Sequence, residues 1–153
     1  MAPPVLAPLI LLLLPLVAAT PPQVLPLPTA TLVNGDATMS DTLTGRWIVT
    51  EVAEAQIPPG VPVTLEFGAA GGLSGKSGCN SFSASLDVSG HDLSPGPARS
   101  TRMACDSSVM AVEYAFHRAL ERLSRYEVEG DGTLVLYGLD TVMMRARRED
   151  AAQ

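Results

Sequence analysis

Charged side chains and glycine are missing from the first part of this 153-residue chain. Residues 1–35 contain no Asp, Glu, Lys or Arg, and no glycine precedes Gly35. The same stretch holds 8 of the 13 prolines. This contrast in composition divides the chain into an N-terminal segment and a more polar remainder, which is long enough for one domain.

Basic residues are also scarce. The chain has 10 Lys and Arg against 16 Asp and Glu, a formal net charge of −6. Proteins that bind nucleic acid present a basic face or stripe to the phosphate backbone. The acidic balance therefore argues against a nucleic-acid partner.

The N-terminal segment resembles a secretory signal. Residues 5–17 are apolar, Pro8 and Pro15 interrupt them, and Ala18 and Ala19 follow. Signal peptides have an apolar region of about 7–15 residues and then small residues at the cleavage site, whereas a membrane span needs about 20. We predict a signal peptide over 1–19 and an exported, periplasmic protein with no stable membrane span after cleavage. No Lys or Arg precedes the apolar run, so an uncleaved segment that tethers the protein to the membrane is the alternative.

Residues 20–40 are rich in proline and small polar residues, which is typical of a semi-rigid, extended tether. We predict that the folded domain spans 41–148 and that 149–153 form a tail. Within the domain, β-branched residues, aromatic residues and alternation predict six or seven strands. These strands lie at 43–52, 63–67, 73–88, 98–104, 126–129, 133–137 and 142–146. Gly130-Asp131-Gly132 predicts a hairpin turn between 126–129 and 133–137.

One helix is predicted from about 107 to 124. Apolar residues recur there every three or four positions and mark a buried face: Val109, Val112, Phe116, Leu120 and Leu123. Glu113 and Glu121 are assigned to the opposite, exposed face. Asp106 or Ser107 is the expected N-cap.

The two cysteines are Cys79 and Cys105. An even count in an exported chain favours one disulfide, although the position of Cys105 before a helix would also suit a reactive thiol. His91 and His117 could complete a Cys₂His₂ set, but structural zinc sites use closely spaced ligand pairs. We therefore predict no metal site.

A P-loop-like sequence runs from Ala70 to Ser77 and places Lys76 where it could reach phosphates. Such a loop must open a helix, whereas the following residues alternate as in a strand. A glycine-rich turn that enters a strand is the simpler interpretation. Hydrolase motifs such as a Gly-x-Ser-x-Gly elbow are missing, so we predict no catalytic residues and no cofactor.

Three motifs occur in a specific order: Leu43-x-Gly45-x-Trp47, then Gly75-x-x-Gly78-Cys79-Asn80-x-Phe82, then Thr101-x-Met103-Ala104-Cys105. In order and spacing they resemble the META domain, the HslJ-like family of heat-shock-associated bacterial envelope proteins. The resemblance covers roughly 41–148. It implies a single small α+β domain with a curved antiparallel sheet and one helix packed on it.

The resemblance also implies an envelope or secreted setting, a link to stress response and no established catalytic activity. Its signature residues are the candidate site residues: Gly78, Asn80, Phe82, Thr101 and Met103. We expect structural roles for them, with Asn80 in local backbone hydrogen bonds and Met103 in the core. A direct functional role is the alternative.

The sequence thus favours an exported, non-enzymatic monomer that binds an envelope protein or small molecule and supports envelope integrity under stress. A small-ligand carrier that uses the concave face of the sheet is one alternative. An enzyme or nucleotide binder that acts through residues 70–77 is another.

Overall fold

A computed structural model describes residues 41–149. The predicted signal peptide and tether, and the last four residues of the predicted tail, lie outside this range. The described part contains one helix and nine strands. In chain order these are β1 Gly45–Val52, β2 Val63–Gly68, β3 Gly72–Ser77, β4 Ser81–Ser89, β5 Asp92–Pro95, β6 Arg99–Ser100, α1 Ser107–Leu120, β7 Arg125–Val128, β8 Leu134–Gly138 and β9 Thr141–Arg148.

Eight of these strands close into an antiparallel barrel. Their order is β3-β2-β1-β9-β8-β7-β5-β4, and β4 pairs in turn with β3. The ninth strand, β6, pairs with β4 beside β5. The predicted α+β domain with an antiparallel sheet and one helix is confirmed. The predicted curved sheet of six or seven strands is wrong, because nine strands are present and eight of them close into a barrel.

The difference arises within residues 73–88, which were predicted to be one strand and form two, β3 and β4. Gly78 takes a φ of +114° at the point where this run breaks, a backbone conformation that favours glycine. The chain therefore folds back after β3, and β4 returns beside it. That hairpin turns the sheet on itself, and closure removes most of the exposed sheet edge.

The barrel interior is packed with apolar side chains. Alternate residues of each strand point inward, as Val63, Leu65 and Phe67 do on β2. Helix α1 packs against β1, β3 and β9, and its Phe116 ring lies 4.9 Å from the Phe82 ring. The concave face of the sheet is thus the inside of a filled barrel. The largest fully buried side chains include those of Trp47, Phe67, Phe116, Leu136 and Met144.

The helix begins at Ser107, as predicted, and ends earlier than predicted, at Leu120. Asp106 occupies the N-cap position without a side-chain capping bond. No helix within residues 41–149 is long and apolar enough to span a membrane.

The predicted hairpin around residues 130–132 is present between β7 and β8. Its turn is held by the Thr133 N–H, which donates to Asp131 at 2.9 Å. The hydrogen bonds from Thr133 hold the pKa of Asp131 below its usual value, because they stabilise the ionised carboxylate.

Candidate functional site

The side chain of Asn80 is the centre of a buried polar cluster. It is only 1% exposed and lies in the turn between β3 and β4. Its Oδ1 accepts hydrogen bonds from the Thr101 hydroxyl and the Met103 N–H, both at 2.7 Å. Its Nδ2 donates to the Met103 carbonyl at 3.1 Å and to Glu113 Oε1 at 2.9 Å. The amide has two donors and two acceptor sites, so these contacts use its full capacity.

The backbone of Asn80 also takes part in three hydrogen bonds. Its N–H donates to Glu113 Oε2 at 2.9 Å, and its carbonyl accepts from the Ser77 N–H at 2.9 Å and the Ser77 hydroxyl at 3.2 Å. We call Ser77, Asn80, Thr101, Glu113 and the backbone of Met103 the Asn80 cluster. It joins β3, β4, helix α1 and the segment that precedes the helix.

Glu113 is the residue that sequence reasoning misplaced. The helical pattern predicts an exposed position for it, whereas it is only 8% exposed and both of its carboxylate oxygens accept hydrogen bonds from Asn80. Its helical spacing gives no sign of this, because its partner lies 33 residues away in the sequence. The correction adds a buried carboxylate to the candidate site.

The predicted disulfide joins Cys79 to Cys105, with 6.0 Å between the Cα atoms. Both cysteines of the chain are used, so the alternative of a reactive thiol is wrong. The bond fastens the residue before Asn80 to the residue before the helix N-cap. Together with the Asn80 cluster it holds residues 101–105 against the barrel at both ends.

The predicted core position of Met103 is wrong, because this residue is 53% exposed. The reason is visible in its backbone, whose N–H and carbonyl are both bonded to the Asn80 side chain. These bonds fix the main chain at the surface. Met103 is therefore an exposed apolar residue on a firmly held backbone.

The other signature residues make packing contacts and hydrogen bonds within the domain. Phe82 is buried in the core beside Phe116, and the N–H of Gly78 donates to the Pro62 carbonyl at 3.1 Å. The Thr101 hydroxyl accepts from the Ser81 N–H at 3.2 Å while it donates to Asn80. Asn80 makes backbone contacts as expected, although they reach distant segments as well as its own turn.

The P-loop-like residues lie mostly in strand β3. Gly75 faces Leu65 across the β2–β3 pair, and a Cβ atom there would lie 2.1 Å from the Thr64 carbonyl oxygen. Glycine is therefore required by the close approach of two strands. A P-loop must be followed by a helix, whereas strand β4 follows this motif. The structure therefore does not support nucleotide binding by these residues.

A groove of about 580 Å³ lies beside the Asn80 cluster, between α1 and the extended segment 98–102. We call it the α1–β6 groove. Glu113, His117 and Glu121 form one wall, and Arg99 and Arg102 lie on the segment that forms the other. Glu113 and His117 of α1 and the C-cap residue Glu121 are spaced by four and so share one face.

His117 lies in the wall of this groove. Its Nε2 is buried and has no hydrogen-bond partner, and its ring meets the Phe82 and Phe116 rings edge-on. The other histidine, His91, packs against Tyr126 with 5.4 Å between ring centroids. Among residues 41–149, no group of three His, Cys, Asp or Glu side chains could hold a metal ion.

Comparison with known proteins places these features in a family. No curated protein matches the chain. Two NMR structures share its fold with a TM-score of 0.57 each. One is a protein from Burkholderia xenovorans at 24% identity, and the match covers 69% of this chain and 82% of that one. The other is 19% identical, and the match covers 71% of this chain and 92% of that one. The META domain model matches residues 41–150, and the chain therefore belongs to the META domain family.

Proposed function

We propose that this chain is an exported, non-enzymatic META domain that binds a partner in the bacterial cell envelope and supports the envelope under stress. META domains are not a known enzyme family. The disulfide supports an oxidising compartment such as the periplasm, because such bonds are rare in the cytosol. The signal-like residues 1–19 support the same location, with a membrane tether as the alternative if they are not removed.

The exposure of Met103 is the observation that carries the binding role. The Asn80 cluster fixes its backbone, yet leaves the side chain 53% exposed. A residue on an ordered backbone loses less conformational entropy when a partner binds. The methionine side chain adapts its shape to apolar surfaces. Such a residue suits a binding surface better than it suits a core.

The other functions considered from the sequence gain no support of this kind. The concave face, which a small-ligand carrier would use, holds the packed side chains of Trp47, Phe67 and Phe116. Lys76, which a nucleotide binder would use, lies in β3, and its N–H donates to the Thr64 hydroxyl. We therefore propose that the partner binds at the outer surface of the domain.

The test is a pull-down from a bacterial envelope fraction with the full oxidised chain as bait. Wild-type protein should capture a defined partner, and Met103→Ala should lose it. Leu139→Ala is the matched control, because Leu139 is an apolar residue that is 82% exposed and lies in the turn between β8 and β9. Capture by the control but not by Met103→Ala supports the proposal. Absence of any captured protein, or equal capture by both variants, would contradict it.

A further inference from the structure

The outer edge of β6 is an unpaired strand edge. Within the described part of the chain, β6 pairs with β4 and with no other strand. The Thr101 N–H donates inward to the Ser81 carbonyl. Alternate residues of an antiparallel strand direct their N–H and carbonyl groups to opposite sides. The backbone groups of Ser100 therefore face away from β4, toward the α1–β6 groove.

The helix wall of this groove carries uncompensated negative charge. Glu113 is almost fully buried and accepts hydrogen bonds from Asn80, a neutral residue. Neither Glu113 nor Glu121 forms an ion pair with another residue in the 41–149 range. Buried charges are normally paired. A cationic group in the groove would supply the missing partner for Glu113.

The strand wall carries the opposite charge. Arg99 and Arg102 are both exposed and line the groove. Neither forms an ion pair or a side-chain hydrogen bond with any residue that the structure describes. The groove thus has an acidic wall and a basic wall, and neither wall neutralises the other. Opposite charges on two walls match a ligand that itself carries both signs.

We infer that the α1–β6 groove binds an extended peptide segment of a partner protein as an added strand on the free edge of β6. The segment carries a basic side chain, which meets Glu113 and Glu121, and an acidic side chain, which meets Arg99 and Arg102. Strand addition draws its affinity from main-chain hydrogen bonds and its specificity from side-chain contacts. The volume of about 580 Å³ falls within the range of ligand sites.

This inference rests on the proposed binding function and names its site and the chemistry of its partner. Met103 and Arg102 both lie in the segment 101–105. One partner can therefore contact the groove and the exposed methionine together.

The test selects octapeptides from a fully randomised library on the immobilised, oxidised full-length protein. Selected peptides should carry both a basic and an acidic residue. Glu121→Gln and Arg102→Gln should each weaken their binding about tenfold, the scale of one hydrogen bond to a charged group. Both positions are exposed and lie outside the Asn80 cluster. Glu66→Gln and Arg147→Gln are the matched controls on β2 and β9, and they should leave binding unchanged.

Backbone methylation distinguishes strand addition from other modes. An added strand pairs through every second amide. N-methylation of alternate amides in one frame should therefore weaken binding about tenfold or more, and the shifted frame should bind normally. Equal affinity in both frames would overturn the inference. So would a library that yields no binder, selected peptides indifferent to Glu121→Gln and Arg102→Gln, or full competition by a free zwitterionic amino acid.

The outcomes also separate the inference from the proposed function. If Met103→Ala loses the envelope partner but no octapeptide binds the groove, partner binding stands and strand addition is wrong. If octapeptides bind the groove but the envelope fraction yields no partner, the proposed function fails on its own test.

Discussion

The barrel interior and the Asn80 cluster hold this domain together in different ways. The interior relies on many apolar contacts, such as those of Trp47 and Leu136, which are both buried. The cluster relies on a few directional hydrogen bonds that join segments distant in sequence. Apolar burial tolerates many combinations of side chains of similar volume, whereas each hydrogen bond requires one partner at one place. We therefore expect the interior to dominate stability and the cluster to determine the local shape of residues 101–105.

The largest effect should come from the interior. Trp47→Ala removes a side chain that is fully buried and whose indole N–H donates to the Leu43 carbonyl at 2.9 Å. We expect a loss of about 3–5 kcal/mol in the free energy of unfolding, because truncation of a buried tryptophan leaves a cavity. Chemical denaturation followed by circular dichroism measures this loss.

The control for this variant is Ile48→Ala on the same strand, at a position that is 39% exposed. It removes a smaller, partly exposed apolar side chain without opening a cavity in the barrel and should cost about 1 kcal/mol or less. A similar loss for both variants would contradict the view that barrel packing dominates.

A smaller global effect should come from the disulfide. The Cys79→Ser/Cys105→Ser double variant opens a loop closed across a sequence separation of 26 residues. In the chain-entropy model such a loop contributes about 3.5 kcal/mol. Denaturation of the oxidised wild type and of the double variant measures the difference.

The same variant tests whether residues 101–105 and the barrel open independently. Hydrogen exchange should accelerate at residues 101–105, whose ends lose one covalent anchor, while relative protection within the barrel strands should persist. Reduced wild-type protein is the control and should match the double variant. Uniform acceleration throughout the domain would show that the segment and the barrel do not behave as separable regions.

Sequence reasoning succeeded where a local pattern determines structure. Alternation identified β2, periodicity located the start of α1 at Ser107, and the Gly-Asp-Gly turn located the β7–β8 hairpin. Each of these features depends on neighbours within one element. The covalent link between Cys79 and Cys105 followed from cysteine count and compartment.

The same reasoning failed where distant residues decide the outcome. Barrel closure depends on the return of β4 beside β3 after Gly78, and the serine-rich composition of this region obscures the break between the two strands. The burial of Glu113 and the exposure of Met103 both depend on Asn80, which lies in another part of the sequence. A helical pattern treats a glutamate as a surface residue unless its partner is known. The candidate site was therefore only partly predictable.

The smallest of the three effects should come from Asn80→Ala. This change leaves Glu113 Oε1 without its donor, although the backbone N–H of residue 80 can still reach Oε2. It also removes both side-chain bonds to the Met103 backbone. A buried polar group left unsatisfied costs about 1–3 kcal/mol, so we expect a loss of about 2 kcal/mol in the free energy of unfolding.

A double-mutant cycle shows whether this loss comes from the contact with Glu113. Glu113→Ala removes the carboxylate that Asn80→Ala strands, so the double variant should be more stable than the two single losses predict. The coupling should be about 1–2 kcal/mol, typical of residues in one hydrogen-bond network. Pairing Asn80→Ala with Glu66→Ala on β2 is the control, and those losses should add within about 0.5 kcal/mol. Additive losses for Asn80 and Glu113 would mean that the cluster acts through Met103 and Thr101 alone. The difference between the cluster and the barrel would then lie in how residues 101–105 are anchored, and the buried carboxylate of Glu113 would not contribute to it.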